Sequence, residues 1–212
     1  MKKRKLLQGR KDRGILFIVS APSGAGKTTL CKKLVSTLPD LQHSVSYTTR
    51  QPRPGEVNDR DYTFINVDEF QAMIKKGEFV EWAEILGELY GTSRKRIEEL
   101  VDSGIDVILD IDTQGAAQMK EKYTDGVYIF IVPPSMDVLR ERLEKRMADS
   151  KEEIEKRLKR SISEIRDYYK YDYVIVNDIL ENALKEIKAI VISQRVSTKR
   201  IDPQWIKETF LK

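Results

Sequence analysis

GILFIVSAPSGAGKTTLCKKLVSTLP, residues 14–39, sets a strand, a loop and a helix in immediate succession. Residues 14–20 form a short apolar run rich in β-branched side chains, the pattern of a strand buried on both faces. Leu30, Cys31, Leu34, Val35 and Leu38 then recur at helical spacing until Pro39 ends the helix. Between them, Ala21, Pro22, Ser23, Gly24, Ala25, Gly26, Lys27 and Thr28 meet every position but the first of the phosphate-loop pattern G-x-x-x-x-G-K-[ST]. Small residues let backbone N–H groups converge on a phosphate, and the helix N-terminus adds partial positive charge. Lys27 would reach the β- and γ-phosphates of a nucleotide, and the Thr28 hydroxyl would bind Mg²⁺. Ala21 replaces the first glycine. Pro22 biases that position toward extended backbone of negative φ, which alanine adopts without strain.

Outward from this stretch, residues 43–66 alternate and are broken by Pro52, Pro54 and Gly55, predicting short strands joined by a long loop. Short helices are expected over 67–76 and 94–103, and buried strands over 107–111, 127–132 and 173–176. A long charged helical stretch fills 135–170, and an amphipathic helix closes over 179–196. Strand and helix alternate at both ends around an irregular insertion. The fold class expected is α/β: a parallel sheet of the P-loop NTPase type flanked by helices, with a small inserted mixed α/β subdomain.

The 212 residues suffice for one such domain, and a 40% apolar fraction excludes global disorder. No apolar run approaches the ~18 residues of a membrane span, and no secretory pattern opens the chain, so neither membrane nor export is expected. The single cysteine cannot form an internal disulfide and suits a cytoplasmic location. The net charge of +4 is uneven: residues 1–13 hold seven basic residues against Asp12, leaving −2 on the remainder. A basic, flexible tail on a slightly acidic body argues against nucleic acid as a partner.

Asp110 follows the apolar residues 107–109 at a strand's carboxyl end, where it would help hold Mg²⁺ through water. A phosphate loop alone leaves ATPase, GTPase, transporter and kinase open. Shortness of the chain, and an insertion carrying arginines and tyrosines, favour phosphoryl transfer to a small anionic acceptor. Arg50 and Arg53 lie in a proline-stiffened loop, and arginine's planar fork suits a phosphate monoester. The lone histidine, His43, reads as an ordinary strand-edge residue.

SAPSGAGKTTL, VSYTTRQPRPGEVNDRDYTF, EFVEWAEILGELYGTS and ILDIDTQGA, in that order, resemble the guanylate kinase family from about residue 14 to 195. The resemblance implies Mg²⁺-dependent transfer of the ATP γ-phosphoryl group to GMP, and to dGMP, by a monomer or homo-oligomer. It implies that Arg50 and Arg53 hold the GMP phosphate with Glu56 nearby, joined by Tyr62 and Tyr90, while Ser46, Glu81, Thr92 and Asp112 read the guanine. On the ATP side, residues 24–29, ending at Thr29, wrap the phosphates, and Asn177 and Asp178 lie by the adenine. Residues 138–165 resemble the family's lid, with arginines at Arg142, Arg146 and Arg157, the last two closing over the transferred group. Family lids read Arg-Gly-Thr where this chain has Arg146-Met147-Ala148. In these terms residues 14–42, 104–134 and 171–195 form the core, about 43–95 the GMP-binding insertion, and 196–212 a C-terminal extension. A kinase acting on a ribosyl phosphate would lack the guanine-reading set, and a non-enzymatic binding module would have a degraded phosphate loop.

The chemistry of Glu81 stands without the family. Guanine offers N1–H and N2–H together to a carboxylate, whereas adenine presents a bare N1 acceptor there. Sites built on such bonds discriminate by about 10⁴–10⁵.

Overall fold

The computed structural model describes residues 9, 13–85, 87–145 and 150–211. The chain opens with β1 (Leu16–Ser20), α1 (Lys27–Thr37) and β2 (Leu41–His43). A second group follows: β3 (Tyr47–Thr48), β4 (Thr63–Phe64), α2 (Val67–Lys75), β5 (Phe79–Ile85), β6 (Glu88–Ser93) and α3 (Arg94–Asp102). It then returns through β7 (Asp106–Asp110), α4 (Thr113–Lys122), β8 (Val127–Val132), α5 (Met136–Glu144), α6 (Lys151–Arg166), β9 (Tyr173–Val176), α7 (Leu180–Val196) and α8 (Pro203–Phe210).

Five strands form a parallel sheet in the order β2-β7-β1-β8-β9. The continuous apolar run of β1 follows from its central place, because the two faces of one strand serve two cores. Phe17 and Val19 point to α1 and α7, meeting Leu30, Cys31, Leu34, Ile187 and Val191. Leu16 and Ile18 point the other way, to Ile97, Val101, Ala116 and Met119 of α3 and α4. Each of the larger aliphatic and aromatic side chains among them contributes about 1.5–3 kcal/mol on burial. Asp106 is buried, but Ile15 N donates to its Oδ1 at 2.8 Å and Arg195 Nε pairs with its Oδ2 at 2.7 Å. That pairing offsets its desolvation and fastens the end of α7 to the sheet.

The second sheet, of order β4-β3-β6-β5, is mixed: β3 and β4 run parallel, and the other pairs are antiparallel. Its hairpin β5–β6 and helix α4 were absent from the sequence expectations, and among the described residues the stretch 135–170 holds two α-helices, α5 and α6, and a 3-10 turn at Tyr168–Lys170 rather than one long helix. Leu139 and Leu143 of α5 pack with Ile154 and Leu158 of α6. Ser150 and Glu153 start α6 with a reciprocal capping box. Among the described residues, no helix is long and apolar enough to cross a membrane.

Candidate active site

The parallel register decides where the chemistry gathers. Val19 pairs with Asp110, so β7 ends beside the point where β1 turns into residues 21–28. Gly24 and Gly26 take φ of 94° and 90°, left-handed values that glycine adopts freely. Close packing adds to the demand at both. A Cβ on Gly24 would sit 3.0 Å from the ends of Leu139 and Leu143, and one on Gly26 would sit 2.4 Å from Asn177 Nδ2. Ala21 is buried and carries no positive φ. Helix α1 starts at Gly26 without a side-chain cap or acidic first turn, leaving its N-terminal N–H groups available to an anion.

Lys27 Nζ donates to Ile111 O at 2.6 Å and forms an ion pair with Asp110. Burial alone would raise the Asp110 carboxyl, but the charge of Lys27 and hydrogen bonds from Lys27 and Thr28 hold it below its ordinary range. Thr28, Thr29 and Ser23 are exposed. The Asn177 amide donates to Ala25 O at 2.7 Å, bracing the loop from within the protein. Arg142 in turn donates to Asn177 O at 2.9 Å, next to exposed Asp178. His43 is half-buried at the edge of the sheet, and burial keeps its imidazole below its ordinary value despite the opposing charge of Asp110.

The second sheet supplies a cationic cluster. One Arg50 nitrogen donates to both Glu56 oxygens, at 2.9 and 3.0 Å, and its guanidinium lies 5.4 Å from the Tyr62 ring centroid. Tyr90 hydrogen-bonds Arg50 and meets Tyr62 edge-on at 6.0 Å. Glu56 also accepts from Arg53 N at 2.8 Å, while the Arg53 side chain is exposed. Burial, reinforced by Asp110, pushes the Tyr62 phenol up to about 12, so it stays a donor at neutral pH.

A third cluster surrounds Glu81, which is 4% exposed. The β5–β6 register shifts between Phe79 and Glu81, a bulge that re-aims Glu81. Thr92 Oγ1 donates to its Oε1, while its Oε2 lies over Gly115, where a Cβ would come within 2.5 Å. Asp112 caps α4 by accepting from Gly115 N at 2.8 Å. Ser46, half-buried, ties the segment before β3 to β4 by accepting from Thr63 N at 2.9 Å. The field of Lys27 reaches Glu81 and that of Asp110 reaches Tyr62, so the three clusters face one region.

Arg157 is half-buried on α6, its carbonyl accepting from Ser161 Oγ at 2.8 Å. Arg146, Met147 and Ala148 lie outside the described residues. Two contacts were not anticipated: Lys32 of α1 pairs with Asp61 at 2.8 Å, and Arg160 of α6 pairs with Asp112 at 3.4 Å. Charges on exposed helices read as solvated faces, and no local pattern distinguishes the few that reach across.

A family model described as guanylate kinase matches residues 13–194. The guanylate kinase of Geobacter metallireducens is 56% identical over 191 residues, 90% of this chain and 94% of that protein. That of Shewanella oneidensis is 52% identical over 186 residues, 87% of this chain and 90% of that protein. The crystal structure of guanylate kinase from Anaplasma phagocytophilum aligns with a TM-score of 0.78 at 35% identity, covering 95% of this chain and 97% of that one.

Proposed function

The chain belongs to the guanylate kinase family, and we infer that the three clusters form the site at which it transfers the ATP γ-phosphoryl group to GMP, giving ADP and GDP. The observation that carries this reading is Glu81, a buried carboxylate held by Thr92 within the field of the phosphate-loop lysine.

The amides of residues 24–29 bind the donor phosphates, and Lys27 exchanges part of its contact with Asp110 for them. Arg50, Tyr62 and Tyr90 take the GMP phosphate, with Arg53 completing its charge balance from the loop. Glu81 accepts from guanine N1–H and N2–H, and Ser46, Thr92 and Asp112 complete the base site. Arg157, with Arg146, neutralises charge on the transferring group as α6 closes. Such transfer is chiefly positioning plus electrostatic stabilisation. Asp110 and Thr28, an ionised carboxylate and a hydroxyl in contact, are hard oxygen donors that suit a Mg²⁺ retaining water and phosphate ligands. Bound there, the ion supplies neutralisation of phosphate charge. Residues 43–95 act as the acceptor-binding insertion and 138–165 as the lid, in a cytoplasmic enzyme.

The test is ADP formation with GMP, AMP, UMP and dTMP as acceptors. GMP should exceed the others by about 10³ or more in kcat/KM. Glu81→Gln should weaken GMP strongly, because its NH₂ opposes one of guanine's donors, while ATP affinity barely changes. Unaltered kcat/KM for GMP in that variant would remove Glu81 from the base site.

A further inference from the structure

Arg157, Arg160 and Glu164 fall three and four residues apart on α6 and therefore share one side of the helix. Arg160 Nε donates to Glu164 Oε1 at 2.8 Å, and its terminal nitrogen reaches Asp112 Oδ2 at 3.4 Å. Asp112 is already engaged through Oδ1, which caps α4 at Gly115 N. The same glycine lies beneath Glu81 Oε2. Two carboxylates thus flank one Cα, and the Arg160 guanidinium meets the outer one.

Resting on the reading of Glu81 as the guanine-binding carboxylate, we propose that Arg160 is a positioning residue for base recognition: it holds Asp112 Oδ2 so that this carboxylate faces the second N2–H of guanine. Guanine's edge carries three hydrogens, one on N1 and two on N2. Glu81 can accept the first and one of the others, which leaves one N2–H for an acceptor on its far side. Asp112 stands beside Glu81, and a carboxylate has about four lone-pair sites, so the contacts to Gly115 and Arg160 leave room for another. One contact would leave the carboxylate free to swing about its bond to Gly115 N. The second, from Arg160, fixes its plane. Arg160 also offsets the repulsion between the two carboxylates, whose fields interact. Because Arg157 sits one turn away, base reading and placement of the transfer-site arginine share one rigid helix.

Inosine 5′-monophosphate lacks the N2 amino group and separates this role from a structural one. Steady-state constants for GMP and IMP should be compared in wild type, Arg160→Met, Arg160→Lys and Glu81→Gln, with melting temperatures alongside. Arg160→Met should raise KM for GMP about fivefold, the upper range for a partly exposed ion pair, with kcat changed less than about twofold. IMP should lose less, so the GMP-to-IMP ratio of kcat/KM falls about threefold. Arg160→Lys should recover part of the ratio, and it decides the matter should Arg160→Met fold poorly. Equal losses on both substrates, or a loss confined to kcat, overturn the proposal. If Glu81→Gln weakens GMP while both Arg160 variants keep the wild-type ratio, only this inference fails. If no variant moves the ratio, the base site is misread and the inference falls with it.

Discussion

Glu81 shows how much one side chain's surroundings decide. Burial pushes its carboxyl up to about 7 from an ordinary 4.5, partly opposed by the Thr92 hydroxyl and assisted by the charge of Asp112. Only the carboxylate form accepts two bonds from guanine. The kcat/KM for GMP should therefore fall as pH drops through about 7, a limb that Glu81→Gln should lack. Stability runs the opposite way. The folded state holds this proton more tightly than the unfolded chain, so its contribution is full below about 4.5 and is lost as pH rises through about 7. Urea unfolding at about pH 5 and about pH 8 should show wild type gaining on Glu81→Gln in the acid, by at most on the order of 3 kcal/mol. A constant difference would mean that Glu81 titrates normally. Asn177 teaches a different lesson at the same scale. The resemblance set it by the adenine, and its amide is engaged with Ala25 O beneath the phosphate loop. Nothing in Val176-Asn177-Asp178 marks a contact with a residue so distant in sequence.

Among the elements, legibility followed burial. Strands β1, β7 and β8 announce themselves because both faces are covered, which makes β1 and β8 almost wholly apolar and gives β7 an apolar centre between its terminal aspartates. Strand β5 reads FVEWAEI, where a bulge and an inward glutamate break the alternation, so the hairpin was not visible. Helix α4 was hidden by Gly115 in its first turn, a poor helix former kept there by the approach of Glu81. The phosphate loop was legible because its chemistry is local. The pairing of Arg160 with Asp112 was not, because it joins elements 48 residues apart. Helix α6 carries the prediction at this scale. Arg157→Ala should lower kcat by about 10³-fold or more, with much smaller changes in the separate Kd values of GMP and ATP. Arg157→Lys should restore little, since an ammonium lacks the guanidinium's fork. Arg53→Ala should instead raise the Kd for GMP. Turnover of Arg157→Ala within about tenfold of wild type would remove Arg157 from the transfer site.

Across the whole molecule, contacts from distant segments converge on the phosphate loop and its helix. Leu139 and Leu143 close over Gly24, Asn177 supports Ala25, and Lys32 on the outer face of α1 ties Asp61, in the turn before β4, to the core. The inner face of that same helix buries Cys31, the chain's one thiol, between β1 and α7. Burial, with Asp110 adding, lifts this thiol well above its ordinary value, so the folded state presents almost no thiolate. Cys31 is therefore a built-in clock for the core: an alkylating reagent can reach it only when the sheet parts from its helices, and labels once per molecule. With reclosing faster than labelling, iodoacetamide uptake should be slow and single-phase, at a rate set by the open population. Saturation with ATP at about a hundred times its Kd should slow uptake roughly a hundredfold, and GMP should slow it by one plus the ratio of its concentration to its own Kd. Uptake indifferent to both nucleotides would mean that Cys31 is reached by a local motion that leaves the site intact.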